Sequence, residues 1–239
     1  MKLDILIFAA HPDDAELGCS GTILKHIAQG KKVGIIDLTR GELGTRGTPE
    51  IRAAEAAEAT KIMGIHAREN LNMRDGFFKN DEEHQLKVIQ MLRKYSPKIV
   101  LANAYYDRHP DHGRACNLVN DAIFLSGLIQ IKTTLDGEVQ QAWRPQLTLH
   151  YIQGYFIKPD ILVDITDVWE KRMECAKAFK SQFYNPDEPD QPQTRLSSPH
   201  FFKAMEARFK EFGNSINTMY AEGFTCRRSL GVNDLFHLK

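Results

Sequence analysis

The 239-residue sequence predicts an α/β fold in which helices flank a mostly parallel sheet, and three observations carry that prediction. Apolar runs of strand length stand at Ile5–Ala10, Lys31–Thr39 and Pro97–Ala104. Segments of helical patterning separate them, the alternation expected of a parallel sheet. Two clusters rich in histidine and aspartate, His11-Pro12-Asp13-Asp14 and Tyr105-Tyr106-Asp107-Arg108-His109-Pro110-Asp111-His112, each follow one of those runs directly. Ligands of open parallel sheets bind in the crevice outside the carboxyl ends of the strands, so both clusters are expected at the functional edge.

Element by element, Ile5–Ala10 reads as a fully buried strand, small residues after Glu16 open a helical pattern, and a helix-like segment runs from about Gly21 to Gln29. With Lys31–Thr39, rich in β-branched residues, this makes a βαβ unit whose crossover is expected to be right-handed. Arg40–Pro49, with three glycines and a proline, reads as a flexible loop at the same edge as His11. Thr48 then caps a helix with Pro49 at its first position, and the Ala-rich sequence carries it to Met63. Asn70–Met73 is expected as a short strand, Glu82–Tyr95 as an amphipathic helix, and a helix from about Asp111 to Ile129 follows the second cluster. Further on, Gln146–Ile152 and Asp160–Ile165 are expected strands and Asp167–Phe179 a helix capped by Thr166 or Asp167. Tyr184–Pro199, with four prolines, reads as a long surface loop or lid, His200–Met219 as a last helix and Tyr220–Lys239 as an irregular tail. The whole of 1–239 is expected to form a single domain.

Lys+Arg and Asp+Glu both number 31, and no long basic run occurs, so nucleic acid and anionic membrane surfaces are not expected partners. Cys19, Cys116, Cys175 and Cys226 are far apart and form no CxxC pair, the pattern of reduced, individually buried thiols. The first apolar run is too short for a signal peptide and no stretch is long enough for a membrane span; a cytoplasmic protein is expected.

Catalytic zinc takes three protein ligands from His and Asp/Glu and keeps a position for water. His11, Asp14 and His112 supply such a set, and the water at such a metal becomes a nucleophile near neutral pH. Asp13 is left beside it as a candidate general base, and His109 as an acid or electrostatic stabiliser with Asp111 to orient it. A lone His-Pro-Asp is commonly a turn with a satisfied histidine; it is the repetition of the placement after two strands that favours a metal. Glu16 is either a fourth ligand or a brace for the loop. Arg52, in the first turn of its helix, sits against the helix dipole, so it either has a specific task at the loop edge or is a solvated arginine. Gly18, Ser20 and Gly21 could form a phosphate-binding turn, but neither GxGxxG nor P-loop spacing is present.

At these residues the chain resembles the N-acetylglucosaminyl deacetylases of the LmbE/PIG-L superfamily. AHPDDAE at Ala10–Glu16 and His109-Pro110-Asp111-His112 match the two signatures of that family. DLTRGELGTRGTPEIR at Asp37–Arg52, SQF at Ser181–Phe183 and YAEGF at Tyr220–Phe224 resemble its bacillithiol-biosynthesis branch, which acts on N-acetylglucosaminyl malate. Leu17 and Cys19 depart from that branch, and the Pro-rich insert does not align with it. The resemblance implies a Rossmann-like, LmbE-like fold and zinc on His11, Asp14 and His112, although Fe2+, Mn2+ or Co2+ also accepts such a set. It implies Asp13 as base, and His109, supported by Asp111, as the group that stabilises the oxyanion or protonates the leaving amine. Arg52 and Arg108 match arginines that contact the sugar and its anionic aglycone, in keeping with bidentate guanidinium–carboxylate recognition. A homo-oligomer, with a hexamer as one form, is also implied. The expected substrate is a small N-acetylated amino-sugar conjugate; chitobiose, inositol or nucleotide-linked conjugates are the alternatives within the chemistry, and a catalytically silent sugar- or nucleotide-binding module the alternative outside it.

Overall fold

The apolar runs form strands because each is buried on both faces, where β-branched and aromatic side chains pack and every backbone group finds a ladder partner. In the computed structural model, which describes residues 1–187 and 190–237, β1 (Ile5–Ala9) and β2 (Val33–Thr39) are buried along their whole length. β3 (Ala67–Met73), β4 (Ile99–Asn103), the hairpin of β5 (Thr134–Leu135) and β6 (Glu138–Val139), β7 (Leu147–Tyr151), β8 (Ile161–Asp164) and β9 (Ala221–Thr225) follow. Apart from the hairpin they make one sheet of order β3-β2-β1-β4-β7-β9-β8. The pairs from β3 to β7 are parallel, and β9 is antiparallel to both of its neighbours.

Alternate side chains of β1 divide between two cores. Ile5, Ile7 and Ala9 face α1 (Asp14–Ala28), α2 (Pro49–Met63) and α5 (Trp169–Lys177), whereas Leu6 and Phe8 pack on α3 (Glu82–Tyr95) and α4 (Pro110–Ser126). The last helix, α6 (Phe201–Asn214), lies against β9. Local capping sets the helix starts: Thr48 accepts from Ile51 N with Pro49 in the first turn, Asp81 accepts from His84 N, and Gly64 ends α2 at φ 77°.

From β1 the chain steps outward to β2 and β3, then returns past β1 to β4. The reversal lies between β1 and β4, the two strands that precede the His/Asp clusters, and such a switch point opens a crevice at the carboxyl ends.

Several expectations need correction. The segment expected as an irregular tail contains β9, which is wholly buried and links β7 to β8. α1 starts at Asp14 rather than beyond Glu16, and it kinks at Cys19, where φ is −150°. The kink frees the amides of Gly21 and Thr22, and the Glu222 carboxylate of β9 accepts both, at 2.9 and 2.7 Å. A phosphate turn at Gly18-Ser20-Gly21 is therefore ruled out, because a protein carboxylate takes those donors. β3 begins at Ala67, three residues before the expected strand, and α4 and α6 end at Ser126 and Asn214. The Asp136-Gly137 turn, with both residues at positive φ, closes a hairpin absent from the expected elements, although Asp-Gly is the pair that such a turn favours. The described residues of 184–199 form turns without a strand or α-helix, and Cys19, Cys116 and Cys175 are buried free thiols with Cys226 partly exposed. Among the described residues no helix is long and apolar enough to cross a membrane.

Candidate metal and catalytic site

β1 ends under tight control. Ala10 N donates to the Asn103 side chain of β4 at 2.9 Å, and Ala10 O accepts from the Thr39 hydroxyl of β2 at 2.9 Å. The chain then turns through His11-Pro12-Asp13, with Asp13 at φ 130°, a conformation that costs a non-glycine residue about 1–3 kcal/mol. That turn sends the neighbouring carboxylates to different partners.

Asp14 is saturated. Its Oδ2 accepts from His11 N at 3.0 Å and Asn103 Nδ2 at 2.9 Å, and its Oδ1 accepts from Gln153 Nε2 at 2.8 Å and lies 3.1 Å from His112 Nε2. The charges and hydrogen bonds of His112 and His11 overcome burial and hold its pKa well below the usual carboxylate range. Both histidines are anchored on their far side. His112 Nδ1 is 2.7 Å from Asp107, while His11 Nε2 is 2.9 Å from Asp75 and 3.3 Å from Asp111, which leaves His11 Nδ1 at 3.6 Å from Asp14. Metal-binding histidines characteristically have one ring nitrogen fixed by a carboxylate and the other free to ligate.

The donor set therefore suits a divalent cation. Five carboxylates, of Asp13, Asp14, Asp75, Asp107 and Asp111, meet at this edge; against the effect of burial, Asp111, Asp14 and Asp75 raise His11 well above its ordinary pKa, and Asp14 and Asp107 raise His112 to about 9. A cation there would relieve the excess negative charge. His11, His109 and His112 also bring ligand atoms within 4.8 Å of one another, as do His11, Asp75 and Asp111. Asp75 and Asp111 both lie on the Nε2 side of His11, away from Asp14 and the Nε2 of His112, so as placed they support the His11 ring; they also accept Leu43 N and Gly76 N, at 3.0 and 2.8 Å, and Asp111 pairs with Arg114.

Asp13 faces the same cavity with Arg52 as its ion-pair partner: Arg52 Nη2 lies 3.0 Å from its Oδ2. Burial pushes Asp13 up to about 7, with Asp14 adding to the rise and Arg52 opposing it. The Arg52 guanidinium also donates to Pro12 O at 2.6 Å and Gly41 O at 3.3 Å. Of the alternatives the sequence left open for Arg52, the solvated one is eliminated, since the residue is 4% exposed. Arg108 stands at the rim, exposed.

His109 caps α4: its Nδ1 accepts Asp111 N at 3.3 Å, so the neutral ring carries its proton on Nε2. Burial and the charges of His11 and His112 lower its pKa, which disfavours the imidazolium. The Asp111 carboxylate, expected to orient His109, goes to His11 instead, and only its backbone N–H reaches His109. Glu16 is not at the site; it pairs with Arg68 at 2.6 Å, which grips Asp37 of β2 through two further bonds. The loop expected to be flexible, Arg40–Pro49, is tied down through Leu43 N to Asp75, Asp75 N to Glu42, and Gln182 to Arg46 O at 2.7 Å.

Sequence reasoning alone did not assign Asp75, Asn103, Asp107 or Gln153. A rule was available: in a parallel sheet every strand's carboxyl end reaches one edge, and these residues follow or end β3, β4 and β7. Asp75, Asp107 and Gln153 join His11, Asp13, Asp14, His109 and His112 in lining a cavity of about 530 Å³, whose other lining residues include Leu196, Phe201, Met205, Phe209, Arg195 and Arg208.

A profile of the PIG-L family, described as GlcNAc-PI de-N-acetylase, matches residues 6–123, the span from β1 into α4 that holds both clusters. The diacetylchitobiose deacetylase of Thermococcus kodakarensis is 30% identical over 193 residues, which are 75% of this chain and 70% of that protein. A probable N-acetyl-alpha-D-glucosaminyl L-malate deacetylase 2 of Bacillus anthracis is 25% identical over 192 residues, 75% of this chain and 81% of that one. Among solved structures, the conserved protein TT1542 from Thermus thermophilus superposes with a TM-score of 0.84 at 37% identity, covering 97% of this chain and 98% of that chain.

Proposed function

On the premise that this chain belongs to the PIG-L family of de-N-acetylases, we propose that it hydrolyses the acetamide of an N-acetylglucosaminide, with N-acetylglucosaminyl malate as substrate and zinc as metal. The observation that carries the reading is the pairing of an Asp14 held between His11 and His112 and kept strongly acidic with a buried Asp13, 3.0 Å from Arg52, that burial pushes up to about 7. One carboxylate suits a cation; its neighbour suits proton transfer.

Zinc held by His11, Asp14 and His112 would supply Lewis acidity for the acetamide carbonyl and lower the pKa of water at the site toward about 7. Asp13 accepts the proton of the attacking water on its carboxylate, with Arg52 fixing the carboxylate's position and stabilising its charged form. His109, neutral and protonated on Nε2, donates that N–H to the carbonyl oxygen as negative charge develops, a contribution of about 3 kcal/mol for such a donor. Asp13 then returns its proton to the nitrogen as the C–N bond breaks, releasing acetate and the free amine. Asp75, Asp107 and Asp111 keep the two histidine rings oriented throughout. Arg108, at the rim, meets the aglycone.

A second reading, that the substrate is diacetylchitobiose, is favoured by the higher identity to a deacetylase of that sugar. Acetate release from N-acetylglucosaminyl malate, diacetylchitobiose and an N-acetylglucosaminyl inositol, measured side by side before and after chelation, separates the two. Chelator-sensitive release that zinc restores, fastest on the malate, is the expected result. Fastest release from chitobiose gives the second reading, and no release from any of them by metal-loaded protein refutes both.

A further inference from the structure

Arg195, from the Pro-rich segment, and Arg208, from α6, both line the cavity, and both donate through Nη2 to one acceptor, Gly154 O, at 2.9 Å each. Two guanidinium groups drawn to one carbonyl oxygen repel each other unless something negative joins them. Among the described residues neither guanidinium has a carboxylate at ion-pair distance and neither makes a further hydrogen bond. Burial and the charge of Arg195 lower the pKa of Arg208, with Asp107 and Glu211 compensating in part. Each guanidinium has five N–H donors, so the pair keeps most of its donors for a ligand.

The pair is also wired to the metal donors. Gly154 N donates to Asp107 Oδ2 at 2.9 Å, the oxygen that lies 2.7 Å from His112 Nδ1. A side chain at residue 154 would collide with Asp107, so this link requires glycine. Around the pair the cavity is lined by Leu196, Phe201, Met205 and Phe209, which offer a sugar ring apolar contact and no competing anion. Arg52, by contrast, is already committed to Asp13.

We propose that Arg195 and Arg208 form an anion clamp that selects conjugates whose aglycone carries a carboxylate or a phosphate. The inference rests on the deacetylase reading above and names the residues that set its substrate preference.

The test compares kcat/KM for N-acetylglucosaminyl malate, N-acetylglucosamine 1-phosphate and neutral diacetylchitobiose in the wild type, R195Q, R208Q and the double variant, with melting curves to verify folding. The ratio of anionic to neutral kcat/KM is expected to fall roughly tenfold for each single change and about a hundredfold for both, mainly through KM. The anion whose ratio falls more identifies carboxylate or phosphate as the source of the charge. R208K should restore part of the loss, since it keeps the charge without the planar fork. An unchanged ratio in the double variant overturns the clamp. Should the double variant not fold, the wild type decides: an anionic-to-neutral ratio that declines with added salt supports the clamp, and a flat one overturns it. If no sugar is deacetylated, titration with L-malate and with inorganic phosphate separates the two readings. Binding of either that the double variant loses keeps the clamp while the deacetylase reading fails; binding of neither by the wild type overturns the clamp.

Discussion

Replacing Arg52 by glutamine should displace the acid limb of the pH–rate profile upward. Asp13 and Arg52 are 3.0 Å apart with side chains 7% and 5% exposed, so the Coulomb term at an effective dielectric of about 20 has an upper bound of about 5 kcal/mol, or roughly four pKa units. Water entering beside a shorter side chain, and the glutamine amide as a replacement donor, reduce this to an expected displacement of about one to two units. Arg52 favours the charged form of Asp13, so its removal raises the pKa of a group already pushed up to about 7. A base must be unprotonated to act, so on the acid side of both limbs the variant should run about 10- to 100-fold slower than the wild type, and the difference should close as pH rises past the displaced limb. A bound cation lowers the limb in both proteins, so the difference between their limbs is the measured quantity. Profiles of kcat/KM from pH 5 to 10 at saturating metal provide it. A loss of equal size at every pH, carried by KM with the limb unmoved, would refute this reasoning and return Arg52 to the substrate-contacting role that the family resemblance implies.

Changing Asp13 to Asn should lower kcat by about 10²- to 10⁴-fold while metal content, read by elemental analysis, stays at the wild-type stoichiometry; loss of metal with loss of rate would make Asp13 a ligand. His150, 1% exposed on β7, is pushed down to about 4 by burial against an ordinary value of 6.5. Between those values the unfolded chain takes up a proton that the folded chain does not, so stability is lost as pH falls through that window. At pH 4.5 the loss amounts to about 2.5 kcal/mol, and H150Q should escape it in denaturant melts compared at pH 7 and 4.5; equal acid losses in both proteins would remove His150 as the cause.

The strands at the centre of the sheet were legible because burial on both faces leaves an unbroken apolar run, as in Ile5–Ala9 and Val33–Thr39. β9 was not, although it is buried as completely. Its sequence, Ala-Glu-Gly-Phe-Thr, contains a carboxylate and a glycine, each of which argues against a central strand. Glu222 is tolerated there because it receives the Gly21 and Thr22 amides and lies 3.7 Å from the fully buried Arg172. Gly223 is needed there because the Phe212 ring occupies the space of a side chain. Partners 50 and 200 residues away leave no trace in a local pattern. Hence the fold class could be read from the sequence while the closing strand could not.

The site divides along the same line. Strand ends placed His11, Asp14 and His112 at one edge, but which carboxylate anchors which histidine is a tertiary matter, and Asp111 reaches His11 across 100 residues instead of the His109 two places away. Arg52 illustrates the limit in energetic form: a cation in the first turn of a helix opposes the dipole, and the sequence could register that conflict without naming what resolves it. Asp13, 39 residues earlier, resolves it. Sharper still is Asp13-Asp14 itself, two identical side chains in one dipeptide. The turn at φ 130° gives Asp14 four polar partners and Asp13 a buried position beside a single guanidinium, which drives their affinities for a proton in opposite directions. A strained backbone at one residue thus makes two chemically equal carboxylates unequal, and a mechanism that needs both a ligand and a base can draw them from adjacent positions.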